Sequence, residues 1–299
     1  MAADPNTWVE RLAPAKVNLF LHVGPVAADG YHPVCSLMVF ADVGDMVRMR
    51  ASPRLGFHVE GPFAAGLAET DDNLVVQARD ALLDRVGRGF PSFELVLDKR
   101  LPIAAGLGGG SADAAATLAL VGDRLAAAGG IGIAEAIAPI ARALGADVTA
   151  CLASNPVIGR GRGDDIVPAP ALPTLNAVLV NPLAPSPTGP VYRAFDGLPP
   201  GAGADEPLLP KSFHAVEDVV EFLRTTRNDL EGPAIGLQPL IGEVLTALRS
   251  HREALFIRMS GSGATCFALT RDEPSAVALA AALSDAHPGW WVRACRLNA

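Results

Sequence analysis

The segment Leu101-Pro-Ile-Ala-Ala-Gly-Leu-Gly-Gly-Gly-Ser-Ala-Asp-Ala-Ala-Ala116 restricts the possible folds of this chain more than any other stretch. It follows the alternating run Phe93-Glu-Leu-Val-Leu-Asp98 and leads into an alanine-rich tract of high helix propensity. A strand, a glycine turn and a helix are therefore expected in succession. Glycines at 106, 108, 109 and 110 let backbone N–H groups turn inward as an anion-binding nest, and the following helix aims its N-terminus at the same point. The combination reads as a phosphate cradle. It is not a Walker A loop, because no Gly-Lys-Ser/Thr follows, and the dinucleotide fingerprint fails because Ser111 stands where its last glycine belongs. The plainer reading is a tight strand-to-helix connection.

Other runs fill in an α+β chain. Lys16 to Val23, Met46 to Arg50 and Leu175 to Val180 read as strands, and Val157 to Val167 as a glycine-rich hairpin. Ala254 to Met259, Thr265 to Leu269 and Trp290 to Leu297 read as further strands. Helices are expected over Leu74 to Leu83, capped by Asp72-Asn73 and ending near Gly87, and over Ala134 to Leu144, stopped by Gly145. Ile241 to Leu248 and Glu273 to His287 complete the set, and Gly201 to Pro210 reads as an exposed loop. The two halves meet near residues 150 to 160.

Composition removes several classes of function. With 24 Lys+Arg against 32 Asp+Glu the net charge is −8, so a nucleic-acid or anionic-membrane partner is not expected. Half the residues are hydrophobic and the mean hydropathy is +0.29, enough to bury a core. Cys35, Cys151, Cys266 and Cys295 are far apart and form no C-x-x-C pair, which fits reduced, buried thiols and no zinc site. Asp4, Glu10 and Arg11 ahead of the short apolar run Val17 to Val23 do not have the shape of a signal peptide. The uncharged stretch Ile166 to Tyr192 is broken by seven prolines, so no membrane span is expected there. A cytoplasmic protein acting on a small molecule, as a monomer or weak homodimer, is the expectation.

Pro102, the glycine run, Ser111 and Asp113-Ala-Ala resemble the ATP-binding signature of the GHMP kinases, the group of galactose, homoserine, mevalonate and phosphomevalonate kinases. Pro14-Ala-Lys-Val-Asn-Leu-Phe-Leu21 resembles the first motif of that group, and Met259-Ser-Gly-Ser-Gly-Ala-Thr-Cys-Phe267 resembles its third. Three motifs in the same order are far more specific than one. The resemblance implies an α+β, two-domain GHMP kinase fold with a cleft between its halves. Residues 1–155 would be the ribosomal protein S5 domain 2-like half with the ATP phosphate loop, and 156–299 the ferredoxin-like half on the substrate side. Asp29-Gly-Tyr-His32, Gly145-Ala-Asp-Val148, Gly161-Arg-Gly-Asp164 and Asn228-Asp-Leu230 resemble the branch acting on 4-diphosphocytidyl-2-C-methyl-D-erythritol in non-mevalonate isoprenoid synthesis. That branch implies phosphoryl transfer from ATP, with Mg2+, to the tertiary 2-hydroxyl of the erythritol unit.

The resemblance makes Asp147 the catalytic base and Lys16 the lysine paired with it. A tertiary alcohol is a poor nucleophile, so a carboxylate takes its proton as the phosphoryl group moves, and an ammonium offsets charge on the transferring group. Outside that context Asp147 reads as a helix C-terminal residue in a turn, and Lys16 as a surface lysine. Pro102, Ala105, Gly106, Leu107, Gly108, Gly109, Gly110, Ser111 and Ala112 are expected to hold ATP, with Lys99 and Asn73 matching positions near the adenine pocket. Ser111 reads equally as phosphate or Mg2+ contact and as an ordinary N-cap.

Asn18 lies two residues beyond Lys16 in a strand and shares its face, where the acceptor diol would sit. Tyr31 and His32 match the cytidine pocket, and Tyr192 matches the aromatic of a pattern beginning at Pro187-Thr188. Two aromatic faces and a histidine bonding the base edge would select a pyrimidine. Ser260, Gly261, Ser262 and Gly263, with Thr265, form a second small-residue turn that the resemblance puts near phosphates and substrate. Pro33 departs from the family, which commonly has a polar or acidic residue there. Two rivals are a homoserine or mevalonate kinase-like enzyme, against which Asp29-Gly-Tyr-His32 speaks, and an inactive GHMP-fold ligand sensor, against which intact Lys16 and Asp147 speak.

Overall fold

Apolar alternation sets the strands, and two of them, β1 (Val9–Val23) and β2 (Val34–Ala51), run through both of the compact units into which the chain divides. The computed structural model describes residues 7–67, 69–70, 72–86, 90–199, 201 and 203–298, so Asp4 and Gly87 lie outside the described residues. The first unit is Met1–Ala15, Gly44–Leu101 and Gly109–Ala153, and the second is Lys16–Val43, Pro102–Gly108 and Ser154–Ala299.

The first unit adds β3 (Gly56–Glu60), α1 (Leu74–Val86), β4 (Phe93–Asp98), α2 (Gly109–Ala127), α3 (Ile133–Leu144) and α4 (Ala146–Ala153). The strand β4 occupies the residues expected of it. It pairs antiparallel with the end of β2, Met46 opposite Asp98, and parallel with β3, Gly56 opposite Glu94. The four helices pack on one another, with Leu82, Leu95, Leu97, Leu118 and Val121 buried. Asn73 caps α1, its Oδ1 accepting the Val75 N–H at 3.0 Å. The segment after Gly145 corrects the sequence reading of Asp147: α4 begins at Ala146, so Asp147 lies in the first turn of a helix, where a carboxylate meets the positive end of the helix dipole.

The second unit adds β5 (Val157–Gly161), β6 (Asp165–Pro168), β7 (Leu175–Asn181), α5 (Thr188–Asp196), α6 (Val216–Arg224), α7 (Glu231–Leu237), α8 (Leu240–Arg249), β8 (Phe256–Met259), β9 (Cys266–Thr270), α9 (Glu273–Ala286) and β10 (Trp291–Leu297). The expected hairpin is β5 with β6, and β5 pairs antiparallel with the start of β2, Val34 opposite Gly161. β7 lies between β10 and β9, antiparallel to both, and β9 pairs with β8. Val178, Val180, Ile241, Leu245, Met259, Leu279 and Val292 close a common core. The proline-rich stretch ends in α5, not in loop. Pro190 falls in its first turn, where a backbone N–H has no intrahelical partner to lose. Among the described residues no helix is long and apolar enough to cross a membrane.

A buried guanidinium fastens β8 within this unit. Arg258 Nη1 donates to the Leu19 carbonyl at 2.8 Å and to Thr226 Oγ1 at 2.9 Å, and Nη2 donates to the carbonyls of Leu223 and Thr226 at 3.0 and 2.6 Å. Burial pushes its pKa down to about 10, with Glu231 opposing. Arg258→Met keeps the stem but leaves those acceptors unanswered, so it is expected to lower stability by about 3 kcal/mol, read as a lower urea midpoint at unchanged slope.

Candidate active site

The glycine turn is built as the sequence demands. Gly106 and Gly108 adopt φ of +72° and +62°, conformations that glycine enters without steric cost. A Cβ on Gly106 would stand 2.3 Å from the Ser260 carbonyl oxygen, so the turn is pressed onto the third motif inside the second unit. Two hydrogen bonds fix that contact and a third ties the turn to β1. Ser260 Oγ donates to the Gly106 carbonyl at 2.9 Å, the Thr265 N–H to Ala105 at 3.1 Å, and the Lys16 N–H to Leu107 at 2.8 Å. Pro102 and Leu107 are buried, while the helix α2 opens at Gly109, with Gly110 exposed. Ser111 is the third residue of α2, inside the first turn and not ahead of it, which corrects its reading as an N-cap.

Lys16 and Asn18 share a face of β1, as two-residue spacing requires. Lys16 is only 4% exposed, not the surface lysine its residue type suggests, and its Nζ donates to Asn18 Oδ1 at 3.1 Å. Asn18 Nδ2 donates to Ser36 Oγ at 2.7 Å, and the Asn18 N–H donates to Ser260 Oγ at 3.1 Å. Burial of an ammonium among such donors and acceptors costs hydration. In the third motif, Ser262 Oγ meets Thr188 Oγ1 at 3.0 Å and the Ser262 carbonyl accepts from Ser186 Oγ at 2.7 Å. Gly261 and Gly263 take φ of +56° and +83°. Asn228 Nδ2 ties the carbonyls of Met259 and Gly261 at 2.8 Å each. Asn181, Ser186 and Ser36 carry part of this network and escaped the sequence reading, because hydrogen-bond partners remote along the chain leave no local pattern.

His32 and Tyr192 come together, with ring centroids 5.0 Å apart. Phe195 stands edge-on to His32 at 5.8 Å, and Asp196 Oδ1 lies 3.2 Å from His32 Nε2. Tyr192, Phe195 and Asp196 are spaced as neighbours on one helix face, a signal available once α5 is recognised. His32 Nδ1 faces the Gly24 carbonyl at 2.8 Å, which fixes that nitrogen as the donor, and both ring nitrogens have partners within the chain. Pro33 closes the same loop: its carbonyl accepts the Gly24 N–H at 2.8 Å, and its ring leaves no room for a Cβ on Gly24. Tyr31 keeps different company. It is 56% exposed, under the Arg162 guanidinium at 4.0 Å, and Arg162 also bonds Asp29 Oδ2 at 2.7 Å.

In the first unit Asp147 is half-buried in α4. Lys99 turns away from solvent altogether: its Nζ donates to Asp45 Oδ2 at 2.5 Å and to Asp113 Oδ2 at 2.7 Å. Asn73 serves α1 as its cap. Among the described residues no three His, Cys, Asp or Glu side chains gather as a metal site.

Comparison with known proteins joins these observations. Residues 73–155 match the family model of the GHMP kinases N terminal domain, and 211–289 that of the GHMP kinases C terminal domain. The 4-diphosphocytidyl-2-C-methyl-D-erythritol kinase of Caulobacter vibrioides (strain NA1000 / CB15N) is 53% identical over 287 residues, 96% of this chain and 98% of that one. A crystal structure of 4-(cytidine 5'-diphospho)-2C-methyl-D-erythritol kinase superposes with a TM-score of 0.76 at 33% identity, over 97% of this chain and all of that one. A homoserine kinase from Cytophaga hutchinsonii, at 20% identity and a TM-score of 0.68 over 98% of this chain and 95% of that one, shares the fold. The chain therefore belongs to the GHMP kinases, within the 4-diphosphocytidyl-2-C-methyl-D-erythritol kinases.

Proposed function

We propose that the chain transfers the γ-phosphoryl group of ATP to the 2-hydroxyl of 4-diphosphocytidyl-2-C-methyl-D-erythritol, giving the 2-phosphate and ADP. The observation that carries the reading is the glycine turn, held by the Ser260 hydroxyl and the Lys16 backbone N–H and followed directly by a 19-residue helix. Its amides and the helix N-terminus suit a polyphosphate. Pro102, Ala105 to Gly110, Ser111 and Ala112 bind ATP, with Asn73 on the adenine side. Asp147 accepts the proton of the 2-hydroxyl, and the Lys16 ammonium stabilises charge developing on the transferred group. Asn18 orients the acceptor diol. Ser260, Gly261, Ser262, Gly263 and Thr188 line the substrate's phosphate side, and His32, Tyr192 and Tyr31 receive the cytosine.

Magnesium takes few protein ligands and several from phosphate and water, and the Ser111 hydroxyl would be a protein donor to it. When bound there, the ion would supply charge neutralisation to the transferring phosphates. Residues 1–155 are the ATP-loop half and 156–299 the substrate half, a division supported by the N-terminal family model ending at residue 155, although Lys16–Val43 and the turn Pro102–Gly108 pack within the same compact unit as Ser154–Ala299. The enzyme is cytoplasmic, monomeric or weakly dimeric, and has no nucleic-acid partner; the net charge of −8 supports that last point.

Two experiments address this reading. Incubation with MgATP and the cytidylated substrate is expected to give a product heavier by one phosphate, with a new phosphomonoester in its phosphorus spectrum; unchanged substrate would count against it. Tyr192→Ala is expected to raise KM for that substrate about ten-fold while kcat moves less than about three-fold, and an unmoved KM would take Tyr192 out of the pocket.

A further inference from the structure

One ammonium in the first unit holds three elements together. Lys99 follows β4, Asp45 lies in β2 and Asp113 lies in the second turn of α2; the Lys99 and Asp113 side chains are 5% and 4% exposed and that of Asp45 is fully buried. Asp45 also spends its other oxygen on the chain entering the glycine turn, Oδ1 accepting the N–H groups of Arg100 and Leu101 at 2.6 and 2.8 Å. Asp113 Oδ2 takes Lys99, and its Oδ1 has no partner among the described residues, so Lys99 is the side chain that ties Asp113 down. The ammonium lies directly beneath the helix start, because a Cβ on Gly109 would stand 3.0 Å from Lys99 Nζ and 3.5 Å from Asp45 Oδ2. Gly109 is not in the left-handed region, so glycine is required there for room and not for its backbone conformation.

Such an arrangement is a costly way to fill a core. Burial raises the Asp113 carboxyl above the usual carboxylate range despite Lys99, and Asp45 adds to the rise. Burial also works against the Lys99 charge, but Asp113 and Asp45 outweigh it and its pKa ends raised. Apolar side chains of the same volume would satisfy packing at least as well, whereas a charged triad fixes position.

We propose that Asp45 and Asp113 are positioning residues for ATP: acting through Lys99, they set the first turn of α2 and the entry to the glycine turn where the phosphate-binding amides must stand. The inference rests on the ATP reading of that turn. It also changes the part of Lys99, which acts from below the loop and not by touching adenine. The ends of the loop are thereby fixed before nucleotide arrives, which spares ATP the cost of ordering them.

Asp113→Ala cuts the tie to α2 and leaves Lys99 paired with Asp45, so no buried charge is stranded. It is expected to weaken ADP binding about ten-fold by calorimetry and to raise KM for ATP similarly, with KM for the cytidylated substrate within two-fold. Amide hydrogen exchange at Gly109 to Ala112 is expected to quicken, and Asp113→Asn, which can still accept from Lys99, to recover most of the loss. Should Asp113→Ala not fold, Asp113→Asn against the wild type carries the same comparison, with about a three-fold loss expected. A lowered melting temperature with ADP affinity and exchange unchanged would overturn the proposal, leaving the triad structural. Wild-type protein that binds no ADP would contradict the ATP reading instead, while quickened exchange in Asp113→Ala would still support the positioning of the helix start.

Discussion

Asp147→Asn is expected to lower kcat by about a thousand-fold, within the range general-base removal gives, while ADP affinity stays within two-fold of wild type. The substitution keeps size and hydrogen-bonding shape but removes the proton acceptor, and losing the carboxylate at the positive end of α4 costs only about 0.5 kcal/mol of stability. Loss of turnover without loss of nucleotide therefore isolates proton transfer. Single-turnover measurements should place the defect in the chemical step, and near wild-type turnover would show that another group takes the proton.

Gly106→Ala carries the second large effect, by a different route. The residue sits at φ +72°, and its Cβ would stand 2.3 Å from a backbone oxygen and 2.9 Å from the Gly263 N and O, none of which can swing aside as a flexible side chain would. The turn must shift away from the third motif, and displacement of phosphate-binding amides by on the order of an ångström costs on the order of a hundred-fold in kcat/KM for ATP. Gly110→Ala provides the contrast, since the nearest atom is the Leu74 Cδ1 at 3.6 Å, an ordinary contact. Equal losses in the two variants would mean that the clash at Gly106 does not control the loop.

How far the sequence reveals this molecule depends on how local each signal is. The alternation of Phe93 to Asp98 is complete within six residues, and β4 coincides with it. β3 was not expected, because Gly56-Phe-His-Val-Glu60 alternates weakly and is a strand through parallel pairing with β4, a contact some forty residues away. β1 begins at Val9, ahead of the expected Lys16, since Val9 to Leu12 are exposed and carry no burial pattern. The helices α5 and α7 hide behind Pro190, Gly232, Pro233 and Gly236, residues of low intrinsic helix propensity that tertiary packing overrides. α4 hides because it follows Gly145 without a linker.

The site divides the same way. The glycine turn and the small-residue turn announce themselves, because close backbone approach requires glycine. Lys99 does not: its partners are Asp45 and Asp113, and nothing near residue 99 reports a carboxylate 54 positions earlier. Nor does the sequence show that His32 has both ring nitrogens engaged by Gly24 and Asp196, or that Tyr31 is paired with Arg162.

The most direct test of the central claim is ADP release with MgATP and, in parallel, 4-diphosphocytidyl-2-C-methyl-D-erythritol, homoserine, mevalonate and galactose as acceptors. Release dependent on the cytidylated substrate alone is the predicted result. Release with another acceptor and not with this one would contradict the assignment of the pocket, and no release with any of them would contradict the assignment of the chain as an active kinase.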